Sequence, residues 1–277
     1  MTGAQIPFPK FFLVHYFFTA ARLHDGFDPT APTDCQATNM PAVSNSTPLM
    51  SLSAVVLDTE TTGLDANSAR IIQIGAVRLV LGNLRIEESF DELVNPELPI
   101  PPESMVVHGI HDDDIRDAST FADVSKDLEA FTLNAVIIGH SVGYDLAILK
   151  HEYGRLKIKW ERPRSLDTMV LAQIANPMLA DYSIEAVSSW LGVEVEGRHT
   201  ALGDALTTAR IFLTLVPLLR SKGIRTLAEA ERSSRSLGDI LHRHETAGWL
   251  EPAIDPAIPA VDTANKVARI DSFPFRH

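Results

Sequence analysis

Two carboxylates, Asp58 and Glu60, close the apolar run Ala54-Val-Val-Leu57 in the segment Asp58-Thr-Glu60-Thr-Thr-Gly63. Residues two apart on a strand share a face, so both acids point the same way at the strand's C-terminal end. Like charges held together repel and favour a cation between them. Hard oxygen ligands on a rigid strand suit Mg²⁺ or Mn²⁺. A bare Asp-x-Glu is equally the solvated end of a strand, so the neighbours decide. Asp145 follows a second apolar run, Ala135 to Gly139, at the start of a helical pattern, where open sheets collect their ligands. His199 and Asp204 have an H-x4-D spacing, and Asp204 opens the pattern DALTTARIFLTL. Taken singly, Asp145 and Asp204 are helix-start carboxylates favoured by the dipole, and His199 is a loop histidine. Together, four carboxylates and one histidine at the edges of sheet elements supply ligands for two metals and one proton acceptor.

The elements that must hold these groups are readable in outline. β-rich apolar runs predict strands over 54–58, 71–81, 86–94 and 135–139, with a short one at 165–168. Thr120 reads as the N-cap of a helix over 121–133. Further helices are expected over 144–153, 168–175, 183–191, 203–216 and 224–247. Strands come first and then alternate with helices, so the class is α/β or α+β with a mixed sheet.

DTETTG with IIQIGAVRL, then GHSVGYDLAILKHE, then RHTALGDA closely resemble the three motifs of the DEDDh 3′–5′ exonucleases. The epsilon-like proofreading branch associated with bacterial DNA polymerase III is the most similar. PESMVVHGIHDDDI and SLDTMVLAQ resemble two intervening segments of that branch, so the likeness covers about 54–216. The resemblance implies an RNase H-like fold, a mixed five-stranded sheet flanked by helices. It also implies roles. Asp58, Glu60 and Asp204 would bind a first divalent cation, Asp58 would bridge to a second, and Asp145 would support the second. His199 would take the proton of the attacking water. Thr61 would approach the terminal nucleotide with its backbone, and Leu64, His108 and Tyr144 would line its pocket. Leu64 and Tyr144 read equally as core or rim residues, and His108 and His140 as structural hydrogen-bonders. The implied substrate is the 3′ end of nucleic acid, foremost single-stranded DNA, with a polymerase or a fused domain as possible partner. Exoribonucleases and oligoribonucleases share the five residues. A non-catalytic binding module would be marked by loss of one of them, and none is lost.

The composition is compatible with this chemistry and excludes others. A chain of 277 residues that is 45% hydrophobic can bury a core, which excludes a mainly disordered protein. Its only cysteine, Cys35, excludes an internal disulfide and a cysteine-based zinc site, and a cytoplasmic location is expected. Net charge is −12, so no long basic duplex-tracking groove is expected. Carboxylates loaded with cations can still attract phosphate, and a few terminal nucleotides can be held by shape and stacking. One basic stretch, Lys150, Arg155, Lys157, Lys159, Arg162 and Arg164, reads as a solvated helix end or as a substrate track.

Four segments are expected. Residues 1–50 form a leader outside the fold, rich in Pro, Ser and Thr after FFLVHYFFTAA, a run of signal-core length; Met50 would serve as an alternative start. Residues 51–217 form the catalytic domain, 218–250 a helical extension, and 251–277 a proline-rich linker whose ending DSFPFRH reads as the approach to a further module. No run reaches the roughly 18 apolar residues of a membrane span.

Overall fold

The computed structural model describes residues 43–80 and 85–237. The leader run FFLVHYFFTAA, the end of the helix expected over 224–247, and the linker 251–277 lie outside the described residues.

Five strands form one mixed sheet in the order β3-β2-β1-β4-β5. They are β1 (Ser53–Thr61), β2 (Ile71–Val80), β3 (Arg85–Leu93), β4 (Val136–Gly139) and β5 (Ser165–Asp167). β1, β2 and β3 are a meander of antiparallel pairs, whereas β4 runs parallel to β1 and β5 parallel to β4. β4 lies between two parallel neighbours, and Val136, Ile137 and Ile138 are all buried. This accounts for its unbroken apolar run. The expected strands and mixed sheet are present, with ends displaced by a few residues.

Helices cover both faces. α3 (Phe121–Thr132) and α4 (Gly143–Arg155) pack on the face that presents Val55 and Leu57 of β1. α5 (Thr168–Ala175), α6 (Ile184–Leu191) and α7 (Ala201–Ser221) cover the face of Ala54 and Val56. The strand period of two thus sorts β1 between two cores. α3 begins at Thr120 as expected, with its N–H and hydroxyl donating to Asp123 Oδ2 at 3.2 and 2.8 Å. Two short helices, α1 (Pro102–His108) and α2 (Asp112–Ile115), lie in the connection between β3 and α3.

The chain stays packed on both sides of positions 50 and 217. α7 runs through Pro217 to Ser221. A proline inside a helix costs about 3 kcal/mol, but Leu215, Val216 and Leu219 around it are buried, and their burial outweighs that loss. α8 (Leu227–Arg235) then returns to the core, burying Leu227 and Ala230. Residues before 51 close the same corner. Leu49 is buried, its N–H donates to Arg225 O at 2.8 Å, and Leu227 N–H donates to Thr47 O at 2.9 Å. Leu49, Leu227 and Ala230 therefore pack into the same core as the sheet and α7. α7 is long and apolar enough to cross a bilayer, yet Ala205, Ala209, Phe212 and Leu215 pack against the sheet.

Candidate active site

β1 delivers Asp58 and Glu60 on its α7 face and turns the intervening Thr59 to the α4 face. Asp58 lies opposite Gly75 of β2, and the register shifts after Glu60. The N-terminus of α7 crosses the sheet at this point. Thr200 caps the helix by accepting from Gly203 N–H at 3.1 Å, and Ala201 N–H donates to Gln73 Oε1 at 3.1 Å. Asp204, in the first turn of α7, is thereby lowered onto the strand carboxylates. One oxygen from each of Asp58, Glu60 and Asp204 lies within 4.8 Å of the others.

Asp145 comes from the first turn of α4; it lies outside the three acids whose oxygens converge but close enough for its charge to act on Asp58. It is buried, and Thr59 Oγ1 donates to its Oδ1 at 2.8 Å. The loop before α4 is held by Asp167, whose Oδ1 accepts from Ser141 N–H at 3.0 Å and from Met169 N–H at 2.9 Å. Ser141 sits in the left-handed region at φ 64°. Asp167 thus fixes the turn that launches Asp145.

The four carboxylates resist ionisation together. Burial, then the neighbouring charges of Asp145, Asp204 and Glu60, raise Asp58 well above the usual carboxylate range. Burial and Asp204 push Glu60 up to about 7. Burial pushes Asp145 up to about 7 against the hydrogen bond from Thr59. Asp204 is also raised by burial, opposed by Arg198. Its Oδ1 is buried with no hydrogen-bond partner among the described residues. An orphaned oxygen in a cluster of hard, mutually repelling donors is what a divalent cation would satisfy. The residues fit that group.

His199 stands at the rim. Its backbone is left-handed at φ 64° and its N–H donates to Asp204 Oδ2 at 3.2 Å, while its side chain is exposed. A strained non-glycine residue beside reactive groups is a common property of functional sites.

The expected pocket residues divide. Leu64 is 89% exposed on the loop after β1. His108 is buried; its Nδ1 accepts from Ile110 N–H at 3.0 Å and its Nε2 has no partner among the described residues. That bond places the neutral ring's proton on Nε2, and burial lowers its pKa. Thr61 and Tyr144 are occupied locally. The Tyr144 hydroxyl lies 2.7 Å from Thr61 Oγ1 and donates to Gly63 O at 2.5 Å, so Tyr144 holds the turn that carries Thr61. Ser104 Oγ donates to Thr62 O at 2.9 Å, which ties α1 to the same turn. His140 is structural, with Nε2 donating to Tyr182 O at 2.8 Å and burial pulling its pKa down to about 4.

Much of the basic stretch is engaged in structure. Arg155 pairs with buried Glu152 at 3.1 Å, Lys159 with Glu161 at 2.8 Å, and Arg164 grips Glu231 of α8 through two hydrogen bonds. These partners favour the plainer reading over a continuous phosphate track.

Sequence reasoning did not reach Arg198, Thr59, Ser104 or Asp167. It did leave one usable signal, a glycine inside the apolar strand run IIQIGAV, which marks a close backbone approach. At Gly75 a methyl group would fall on the backbone of Ala201 and Leu202. Gly75→Ala should push α7 off the sheet and carry Asp204 with it. We expect kcat/KM to fall about 10²-fold or more, as a displacement near 1 Å can do, with a stability loss of about 1–3 kcal/mol. A variant within twofold of wild type would show that the crossing point does not set the geometry of the site.

Residues 55–212 match the exonuclease family of RNase T type. A DNA polymerase III subunit epsilon-like protein of Rhodobacter capsulatus is 38% identical over 201 residues, spanning 70% of this chain and 28% of that protein. The DNA polymerase III subunit epsilon of Rickettsia typhi is 35% identical over 174 residues, spanning 60% of this chain and 75% of that protein. The aligned part of this chain thus spans under a third of the Rhodobacter relative's length. Among solved structures, the nuclease domain of 3′hExo, a DEDDh family member bound to rAMP, shares the fold. It superimposes with a TM-score of 0.52 at 20% identity, covering 65% of this chain and 95% of that one.

Proposed function

This chain belongs to the exonuclease family of RNase T type, and we propose that it removes nucleotides from the 3′ end of single-stranded DNA, releasing nucleoside 5′-monophosphates with the help of two divalent cations, Mg²⁺ or Mn²⁺. The observation that carries the reading is the convergence of Asp58, Glu60 and Asp204 within 4.8 Å, with a buried, unsatisfied oxygen on Asp204. DNA is favoured over RNA by the relatives named as subunits of DNA polymerase III. Those names also support a polymerase as a partner.

Asp58, Glu60 and Asp204 would hold one cation, and Asp58 with Asp145 the other. Such a pair, when bound, supplies Lewis acidity and offsets the charge that builds on the phosphate during displacement. The remaining work falls to the chain. His199, exposed at the rim, is free to accept the proton of the attacking water at a ring nitrogen. His108 presents Nε2–H as a neutral donor to the terminal nucleotide. Leu64 offers an apolar surface for the terminal base, and the turn locked by Tyr144 keeps the Thr61 backbone in place.

The test is mass spectrometry of products from DNA and RNA oligomers of one sequence, with Mg²⁺ or Mn²⁺ and with EDTA. A ladder shortened from the 3′ end, deoxynucleoside 5′-monophosphates, faster loss of DNA than RNA and silence in EDTA are expected. Faster shortening of RNA would transfer the proposal to an exoribonuclease. Release of nucleotides in EDTA would refute the metal chemistry.

A further inference from the structure

Arg198 is the charged residue of the site that the proposed chemistry does not use. Its Nε donates to Glu185 Oε1 at 2.6 Å, and one terminal nitrogen donates to Asp204 Oδ2 at 2.5 Å. Asp204 Oδ2 also accepts from His199 N–H, so that oxygen is saturated and Oδ1 alone remains open. Glu185 lies in the first turn of α6, which is capped by Ser183 Oγ accepting from Ala186 N–H. The guanidinium is therefore tethered on both sides, and its side chain is only 32% exposed.

We propose that Arg198 is a resident counter-charge of the cation site. It directs Asp204 Oδ1 toward the cation and balances part of the cluster's charge when no cation is there. Because Oδ2 and Oδ1 serve different partners, Arg198 stays in place when the cation enters and repels it. Repulsion between charges a few ångströms apart is substantial even at a screened dielectric of about 20. The consequence is a raised threshold. The chain loads cations only at concentrations above those the same carboxylates would need without Arg198. The inference rests on the metal reading above.

Neutral and charged replacements separate charge from shape. Arg198→Gln keeps a donor toward Asp204 without the charge, Arg198→Met is a second neutral variant, and Arg198→Lys keeps the charge. Mn²⁺ binding to the full chain would be titrated calorimetrically at pH 8.5, and melting recorded in EDTA. The neutral variants should bind Mn²⁺ about tenfold more tightly than wild type, which is about 1.4 kcal/mol, and should melt lower in EDTA. Arg198→Lys should stay within threefold of wild type in affinity. Neutral variants that bind Mn²⁺ no tighter than wild type, or a lysine variant that behaves like them, would overturn the proposal. Wild-type protein that takes up no Mn²⁺ would be a different failure, that of the metal reading itself.

Discussion

Asp58→Asn is expected to abolish hydrolysis and, in EDTA at pH 8, to raise the melting temperature. Asp58 feels the charge of every other carboxylate of the cluster, since burial and then Asp145, Asp204 and Glu60 push its pKa upward. The sign follows from proton linkage. Unfolded, these carboxylates ionise near pH 4; folded, Glu60 and Asp145 do so only near 7. Between those limits the folded state holds protons the unfolded state has lost, so stability falls as pH rises from about 4 through about 7. An isosteric amide removes one charge from the repulsion without opening a cavity. A gain of about 0.5–2 kcal/mol in the cation-free protein at pH 8 is a reasonable scale for relieving such a site, and it should vanish at pH 5. Saturating Mn²⁺ should reverse the order, because ligand binding stabilises the state that binds and the variant lacks a ligand. For the same reason wild-type affinity for Mn²⁺ should weaken from pH 8 to pH 6 as protons compete for the carboxylates. Differential scanning fluorimetry with EDTA or Mn²⁺ at pH 5 and 8, alongside a nuclease assay, checks all of this. An active Asp58→Asn, or one that melts below wild type in EDTA at pH 8, would contradict the account.

What could be read from the sequence divides along a physical line. The positions of Asp58, Glu60, Asp145 and Asp204 follow from local rules. Strand alternation sets the first two, and the starts of α4 and α7 set the others, so spacing alone brought them to sheet edges. The capping of α3 at Thr120 and the buried run of β4 are local in the same sense. Where those rules and tertiary burial compete, burial prevails. Pro217 reads as a stop, but Val216 and Leu219 hold α7 against the sheet beyond it. Residues 47–50 carry no periodicity, yet Leu49 and its bond to Arg225 seal the corner that α8 completes. Partnerships between distant side chains are the least legible. Arg198 meets Glu185 only because α6 and α7 pack side by side, and Thr59 meets Asp145 across 86 positions of chain. Tyr144 could be foreseen beside the site, but not that its hydroxyl is taken by Gly63 O.

His199→Ala should lower kcat while leaving cation binding nearly unchanged. The link between His199 and the cluster runs through its backbone, whose N–H donates to Asp204 Oδ2, and alanine retains that donor. The side chain is exposed at the rim, so its loss opens no cavity. What disappears is the imidazole, and general-base catalysis is typically worth about 10²–10⁴ in rate. The left-handed backbone at φ 64° adds a complication, because alanine tolerates that conformation less well than asparagine. His199→Asn is therefore the paired control: it keeps the backbone comfortable and lacks the base. Both variants should fall by that order in kcat and stay within about threefold of wild type in Mn²⁺ affinity. Free imidazole should restore part of the rate, since the vacated rim is open to solvent. The comparison belongs at saturating Mn²⁺, so that cation loading does not limit the rate. If either variant keeps wild-type kcat, His199 is not the base; if kcat and Mn²⁺ affinity fall together, its role is to shape the Asp204 loop.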